Sequence, residues 1–358
     1  MAFESIPPVP TADELLDMAF GGAEKESRNA RKTLTAKSRL RKSVILESIK
    51  VKTVGDVLIT HLSSALKSFP SLEGISPFYY DLIVCTIDYV DAKQSLGALK
   101  WAGTKIGKLT SDYHHRIRFC EDLKAINSLR QAYYGRISSV VKQISRNLKV
   151  LEADRKVFRK YPTIKTSIYT VVIAGYPNVG KSTLLKAMTG SEPEIAPYPF
   201  TTKRIMIGYM EKAKTKVQVI DTPGLLDRPL ADRNNIERQA ILALTHLADM
   251  VVFVVDPSEH CGYLMKQQMD LLRDMRKEFS EITVVANKTD IKKTDKENMM
   301  LISAKENVGI DELKKLIFVD ADKTKKADDA EERNKTKKDN TDAEEINYDI
   351  DEDNDDLN

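Results

Sequence analysis

The chain has 358 residues, 42% hydrophobic and 30% charged, a length that predicts about two folded domains plus extra segments. This composition excludes a collagen-like, disulfide-rich or wholly disordered protein, and Cys85, Cys120 and Cys261, scattered and without a CxxC pair, argue against a disulfide framework or a zinc site. The net charge of +3 conceals segregation: residues 24–165 carry 28 basic against 13 acidic side chains, and residues 320–358 carry 7 against 16.

In chain order, TADELLDMAF at 11–20 begins with a capping box, Thr11 and Glu14, and Gly21–Gly22 are expected to end that short helix. MAFESIPPVP lacks the basic and apolar regions of a signal peptide, and no apolar run approaches the roughly 20 residues that span a bilayer. A reducing, cytoplasmic setting without a membrane partner is expected. Residues 28–52 hold nine Lys/Arg and one acid, Glu47. Thr53 and Asp56 then open a helix that Pro70 closes, Pro77 opens another, and Asp91 and Asp122 stand near the starts of two longer ones. Ile126, Leu129, Tyr133, Ile137, Val140, Val141, Ile144, Leu148 and Leu151 recur at three- and four-residue steps and mark one buried stripe. Long helices with short connections pack antiparallel, so residues 1–165 read as an all-α helical bundle. Its basic run, with Arg118, Lys124, Arg130, Arg136, Lys142, Arg146 and Lys149, suits salt-sensitive contact with RNA phosphates; a lysine-rich bundle without RNA is the alternative. Tyr79–Tyr80 and Tyr133–Tyr134 read as packing residues rather than base-stacking platforms.

After Tyr161–Pro162 the pattern changes. Strand-like runs at 168–174, 204–210, 216–220, 250–255, 282–286 and 299–302 alternate with helical patterns at 182–189, 235–247, 263–278 and 310–317. That alternation predicts a doubly wound α/β domain with a mostly parallel sheet over 166–319. From Asp320 the text becomes Asp, Glu, Lys and Asn, which predicts a disordered acidic tail over 320–358.

The first strand runs into GYPNVGKS: Gly175, Tyr176, Pro177, Asn178, Val179, Gly180, Lys181 and Ser182, followed by Thr183 and an apolar helix. This is a phosphate loop in its strand–loop–helix setting. Its backbone N–H groups and helix dipole would face phosphates, Lys181 would reach the β- and γ-phosphates, and Ser182 would ligate Mg²⁺. Asp221, Thr222, Pro223 and Gly224 close the strand VQVI. Asp221 would support the Mg²⁺ shell, and the Gly224 N–H would meet the γ-phosphate. Asn287, Lys288, Thr289 and Asp290 follow ITVVA. The Asp290 carboxylate can accept two hydrogen bonds from guanine, a pair of donors that adenine lacks. Ser303 and Ala304 with Lys305 would support the base through a backbone N–H. These motifs at strand ends form one site and predict a GTPase binding GTP or GDP with Mg²⁺. Between the first two lies PYPFTT, where Thr202, with Thr201 as competitor, would close on Mg²⁺ when γ-phosphate is present. Lys181, Thr202 and Gly224 are the expected catalytic groups, and Ser182 and Thr202 the expected metal ligands.

GYPNVGKS, YPFTTK, IDTPGLLDRPLADRNNIERQAILAL and VVDPSEHCGY resemble the nucleolar GTP-binding protein 1 family, in the Obg-related branch of translation-factor GTPases. SFPSLEGISPFYYDL at 68–82 resembles that family's N-terminal domain. The resemblance covers roughly residues 10–290. It implies a large-subunit assembly GTPase whose helical domain contacts ribosomal RNA, with precursor particles and other assembly factors as partners and no role for DNA. Because this chain ends soon after its α/β domain, an archaeal-type short form and cytoplasmic placement are expected. Leu225 stands where many small GTPases have a water-orienting glutamine, so slow intrinsic turnover is expected. In related GTPases the residue at Asn178 helps bind K⁺; the alternative for Asn178 is a turn-former. A GTP-bound RNA scaffold without turnover and an Obg-like nucleotide sensor are the rival readings.

Overall fold

The computed structural model describes residues 3–35, 38–71, 74–198, 204–227, 238, 241, 243–292 and 299–326. The chain divides into two compact units, Met1–Thr163 with Pro197–Pro199, and Ile164–Ala196 with Phe200–Asn358. No described helix is long and apolar enough to cross a membrane.

The first unit is helical. Its α1, Ala12–Thr33, starts from the capping box: the Thr11 hydroxyl accepts from the Glu14 N–H, and the Glu14 carboxylate accepts from the Thr11 N–H at 2.7 Å. Gly21 and Gly22 do not end it. With Ala19 and Ala23 fully buried, small residues bring α1 against α2, and this packing overrides the weak helix propensity of glycine. The second helix, α2, spans Arg39–Ser68 and is capped by the Ser38 hydroxyl, which accepts from the Arg41 N–H. It therefore starts well before Thr53, and most of the basic run is helical. Glu47 neutralises one of those charges, Lys50 at 3.2 Å, and also lies 2.9 Å from Arg130; Lys50 lies 3.1 Å from Glu24 as well. Arg39, Arg41 and Lys42 remain exposed.

Pro77 opens α3, Pro77–Thr86. Asp88 caps α4, Tyr89–Arg118, and Asp122 caps α5, Leu123–Gln143. The stripe that begins at Ile126 is buried apart from the half-buried Leu129, and it is not continuous, because the helix breaks at Ile144 before α6, Ser145–Phe158. Arg146 then forms a bidentate pair with Asp91 at 3.1 and 2.9 Å, so Lys142, Arg146 and Lys149 do not make the single basic face that one unbroken helix would give. At the bundle's centre a Cβ on Gly55 would stand 2.3 Å from the Thr110 hydroxyl. That hydroxyl meets Tyr133 at 2.9 Å, and the Tyr133 hydroxyl donates to the Val51 carbonyl at 3.1 Å. Tyr79 and Tyr133 are core residues, and Tyr80 is exposed.

The second unit is a seven-stranded sheet of order β2-β3-β4-β1-β5-β6-β7: β1 Tyr169–Ala174, β2 Glu194–Pro197, β3 Arg204–Lys212, β4 Thr215–Asp221, β5 Met250–Val255, β6 Ile282–Ala286 and β7 Met300–Leu301. β3 pairs antiparallel with β4; β1 runs parallel to β4 and β5, and β6 to β5 and β7. The central β1 and β5 are wholly apolar and buried apart from Tyr169 and Thr170, as strands covered on both faces require. The edge strand β2 was not legible in sequence, since EIAP carries no apolar alternation. α7 spans Lys181–Thr189. The helix expected at 235–247 is described at 238, 241 and 243–245, all helical.

Residues 320–326, expected as the start of a tail, are helical. A helix over 310–326 carries Phe318 and Ala321 into the sheet's core. Asp320 accepts from the Tyr169 hydroxyl, and Asp322 accepts from the Thr215 hydroxyl at 2.6 Å. The polar composition hid a helix end anchored by two apolar residues and two acids. Residues 327–358 lie outside the described residues.

Asp154 in α6 has no hydrogen-bond partner at Oδ2. Burial, with Asp91 and Asp88 nearby, pushes its carboxyl up from 3.8 to about 6. A raised acid favours the folded state fully below its unfolded pKa and loses that contribution as pH rises through the folded value. Asp154→Asn should therefore raise stability at pH 8 by about 2 kcal/mol, and not at pH 3. Urea unfolding of both chains at the two pH values measures this; an equal gain at both would exclude ionisation as the cause.

Candidate nucleotide-binding site

The phosphate loop sits at the carboxyl end of β1, where the connection reverses to reach strands on either side. Two of its glycines are required by geometry. Gly175 has φ +136° and a Cβ there would lie 2.4 Å from the Val254 carbonyl oxygen; Gly180 has φ +102° and a Cβ would lie 2.2 Å from Asn287 Nδ2. Asn178 also takes a left-handed backbone, φ +63°, which asparagine tolerates better than most residues. Lys181 Nζ donates to the carbonyls of Gly175 and Tyr176 at 2.8 and 2.9 Å. The loop thus closes around its own ammonium, which is fixed beside the first turn of α7.

Ser182 Oγ donates to Asp221 Oδ2 at 2.6 Å. Asp221 is fully buried and its Oδ1 has no hydrogen-bond partner. Burial pushes its carboxyl up, against the opposing pull of Ser182 and Lys181. A buried carboxylate oxygen without a donor, beside a serine hydroxyl, is a donor set suited to a hard divalent cation, so Ser182 and Asp221 fit Mg²⁺. Thr222 is buried against Ile173 and Gly224 has φ +80°. Leu225 is 1% exposed and belongs to the core, so no polar group stands at that position.

The far end of the site is built by Asn287 to Asp290. Asn287 Nδ2 donates to the Val179 carbonyl and its Oδ1 accepts from the Ala304 N–H, both at 2.9 Å. Thr289 donates to the Ile302 carbonyl at 2.8 Å, and Ser303 Oγ donates to Asp290 Oδ1 at 2.6 Å. The Ser303 hydroxyl holds the exposed Asp290 carboxyl below its usual range, so it is an ionised acceptor. The Ala304 N–H joins motif to motif here. A cavity of about 640 Å³ runs between the two ends, lined by Asn178, Lys181, Ser182 and Thr183 on one side and by Lys288, Asp290, Ala304 and Lys305 on the other, with Pro177, Pro223 and Asp227 between. Thr201 and Thr202 lie outside the described residues.

Sequence reasoning assigned no role to Asp256, yet it organises one wall. It is fully buried and accepts from the Ser258 and Cys261 N–H groups, both at 2.9 Å, and from Lys288 Nζ at 2.6 Å. Burial raises its carboxyl, and the bonds from Lys288 and Ser258 outweigh that, leaving it below the usual range. Tyr263, from the same DPSEHCGY stretch, packs its ring on Tyr176 of the phosphate loop with centroids 4.2 Å apart. The available signal was an acid directly after the apolar run MVVFVV, where a buried carboxylate needs partners.

Residues 3–165 match the family model described as the NOG1 N-terminal helical domain, and residues 170–288 match that of a 50S ribosome-binding GTPase. The chain is 39% identical over 290 residues to an uncharacterized protein of Methanocaldococcus jannaschii, covering 81% of each. It is 33% identical over 317 residues to nucleolar GTP-binding protein 1 of Saccharomyces cerevisiae, covering 87% of this chain and 48% of that one. It spans about half the length of the curated relatives of that name. A crystal structure from Plasmodium falciparum, titled as a nucleolar GTP-binding protein 1, aligns with 49% of this chain and 100% of its own at 27% identity and TM-score 0.43.

Asp256→Asn should leave Lys288 without its counter-charge. Loss of one member of a buried pair costs about 3 kcal/mol, so both unfolding stability and nucleotide affinity should fall. Because the native carboxyl is held low, its contribution is present above the ordinary Asp range and disappears as acid titrates the folded group. Urea unfolding and titration with a fluorescent GDP read the two effects; unchanged values in both would remove Asp256 from the wall's support.

Proposed function

Because the chain belongs to the nucleolar GTP-binding protein 1 family, we propose that it is a GTP-hydrolysing assembly factor of the large ribosomal subunit. It carries a P-loop GTPase domain, and the observation that carries the reading is the shape of its pocket. Lys181 and the Ser182–Asp221 pair stand at one end, and the ionised Asp290 acceptor stands at the other. That is the polarity of a guanine nucleotide, with its phosphates on the loop and its base on the carboxylate.

Mg²⁺, when bound, neutralises charge on the β- and γ-phosphates. Ser182 and Asp221 are the described residues that would hold it, and Thr202 would complete the set when γ-phosphate is present. Lys181 stabilises phosphate charge, and the Gly224 N–H meets the γ-phosphate. Leu225, sealed in the core, cannot orient water, which favours slow intrinsic turnover. This observation also supports the second reading, an RNA-binding scaffold that keeps GTP as a structural ligand. The helical unit, with Arg39, Arg41 and Lys42 exposed, supplies the surface for ribosomal RNA in both readings. The expected setting is cytoplasmic.

Co-sedimentation with large-subunit precursors, compared in GTP and GDP with single-turnover hydrolysis alongside, tests the reading. Nucleotide-dependent association with turnover is expected; nucleotide-independent association without turnover would favour the scaffold, and no association would defeat both. In the same assay Thr202→Ala should keep GDP binding and lose GTP-dependent association, and Thr201→Ala should do less. Replacing Na⁺ by K⁺ should raise the rate if Asn178 holds an ion, and equal rates would leave it a turn residue.

Asp290→Asn should shift preference from guanine toward xanthine nucleotides, since the added amide donor matches the extra xanthine carbonyl and the paired acceptor is lost. Competition between GTP and XTP measures this, and unchanged GTP affinity would refute the base assignment.

A further inference from the structure

Trp101 is the single tryptophan of the chain. It stands in the middle of α4 and is 47% exposed. Among the described residues no ring, cation or hydrogen-bond acceptor is recorded on its indole. The α4 stretch 92–111 contains Lys93, Lys100, Lys105 and Lys108 and no acidic residue. All four lysines are exposed, and none forms an ion pair among the described residues. Some basic side chains of this unit are neutralised instead: Lys50 and Arg130 meet Glu47, Arg146 meets Asp91, and Arg116 meets Asp112.

Helical spacing sets these groups in order. Lys105 follows Trp101 by one turn, about 6 Å along the axis, and Lys108 by two turns on nearly the same meridian. Gly97 precedes it by one turn. A Cβ placed on Gly97 would meet nothing within 4 Å, so neighbouring chain does not cover the helix one turn before the indole. An apolar protein partner would need a contiguous apolar patch. The other large exposed apolar residues of this region, Val90 and Phe119, lie eleven residues before and eighteen after Trp101, about 16 and 27 Å along the helix. An isolated aromatic face followed along one meridian by two unpaired cations instead matches a nucleic-acid strand, in which a base offers a π-face and the adjoining phosphates offer charge. A duplex keeps its base faces stacked inside and cannot use the ring.

We propose that Trp101, with Lys105 and Lys108, forms a stacking site for an unpaired nucleotide of RNA on the outer face of α4. This rests on the reading of the helical unit as RNA-binding and adds a position and a selectivity to it: bases that are out of the helix, held without sequence preference.

The test uses the full chain, a 20-nucleotide oligoadenylate and a 20-base-pair RNA duplex at low salt. Tryptophan emission reports Trp101 alone. Oligoadenylate should quench it at saturation, and the duplex should bind with little quenching. Trp101→Ala should weaken oligoadenylate binding by roughly tenfold and leave duplex binding and the thermal midpoint unchanged. Trp101→Phe should recover part of the loss. The double variant Lys105→Glu, Lys108→Glu should weaken both RNAs. Oligoadenylate binding without quenching and unaffected by Trp101→Ala would overturn the stacking site while leaving the RNA reading intact. Failure of the native chain to bind either RNA would overturn that reading itself. Quenching by anionic phosphatidylglycerol vesicles in place of RNA would assign the face to a membrane surface and overturn the proposal.

Discussion

The nucleotide pocket depends on the two-sided amide of Asn287. Its NH₂ group donates to the Val179 carbonyl of the phosphate loop, and its carbonyl accepts from the Ala304 N–H of the turn after β7. Three segments, two of them more than a hundred residues apart, are thereby held at hydrogen-bond distance in a buried setting, where each unmade bond would cost its full desolvation. The glycine at Gly180 follows from this contact, because any Cβ would occupy the position of the amide nitrogen. The phosphate end and the base end of the pocket keep a fixed separation because one side chain, rather than a flexible loop, joins them.

Around that join the α/β unit adds supports from its own less general text. Asp256 holds Lys288, and Tyr263 lies on Tyr176, so the DPSEHCGY stretch braces the guanine-side lysine and the phosphate loop together. Gln268 ties this brace to the next helix: its Oε1 accepts from the Asp256 N–H, and its Nε2 donates to the Tyr263 carbonyl. A family-specific sequence thus has a mechanical role at the site. The helical unit has a different economy of charge. Its few acids are placed to neutralise particular cations, Glu47 for Lys50 and Arg130 and Asp91 for Arg146, and this sorting leaves the lysines of α4 and the start of α2 among its unpaired cations.

Much of this was legible in the sequence. Motif residues had to lie at strand ends, because apolar β-branched runs dictate buried strands and the glycines, lysine and acids follow those runs directly. Two caps were equally readable: Thr11 and Asp122 serve their helices through contacts within three residues, whereas the caps at Ser38 and Asp88 were not read. Local chemistry of that kind does not wait for the fold. The misreadings arose where a distant partner decides. Gly21–Gly22 look like a helix end until α2 packs beside them, and the polar stretch after Asp320 looks like a tail until Ala321 enters the core.

The sequence by itself determined the order of the two units, the placing of the phosphate-loop motif and of the later motifs at the ends of apolar strands, and the apolar positions of the helical stripe. These are properties of spacing and of residue type at short range. Only the tertiary structure decided which cations are neutralised, that Asp256 rather than solvent faces Lys288, that Leu225 is sealed away, and that Trp101 stands outside the core. Burial and charge pairing depend on residues far apart in the chain, and no periodicity in one segment records what another segment brings against it.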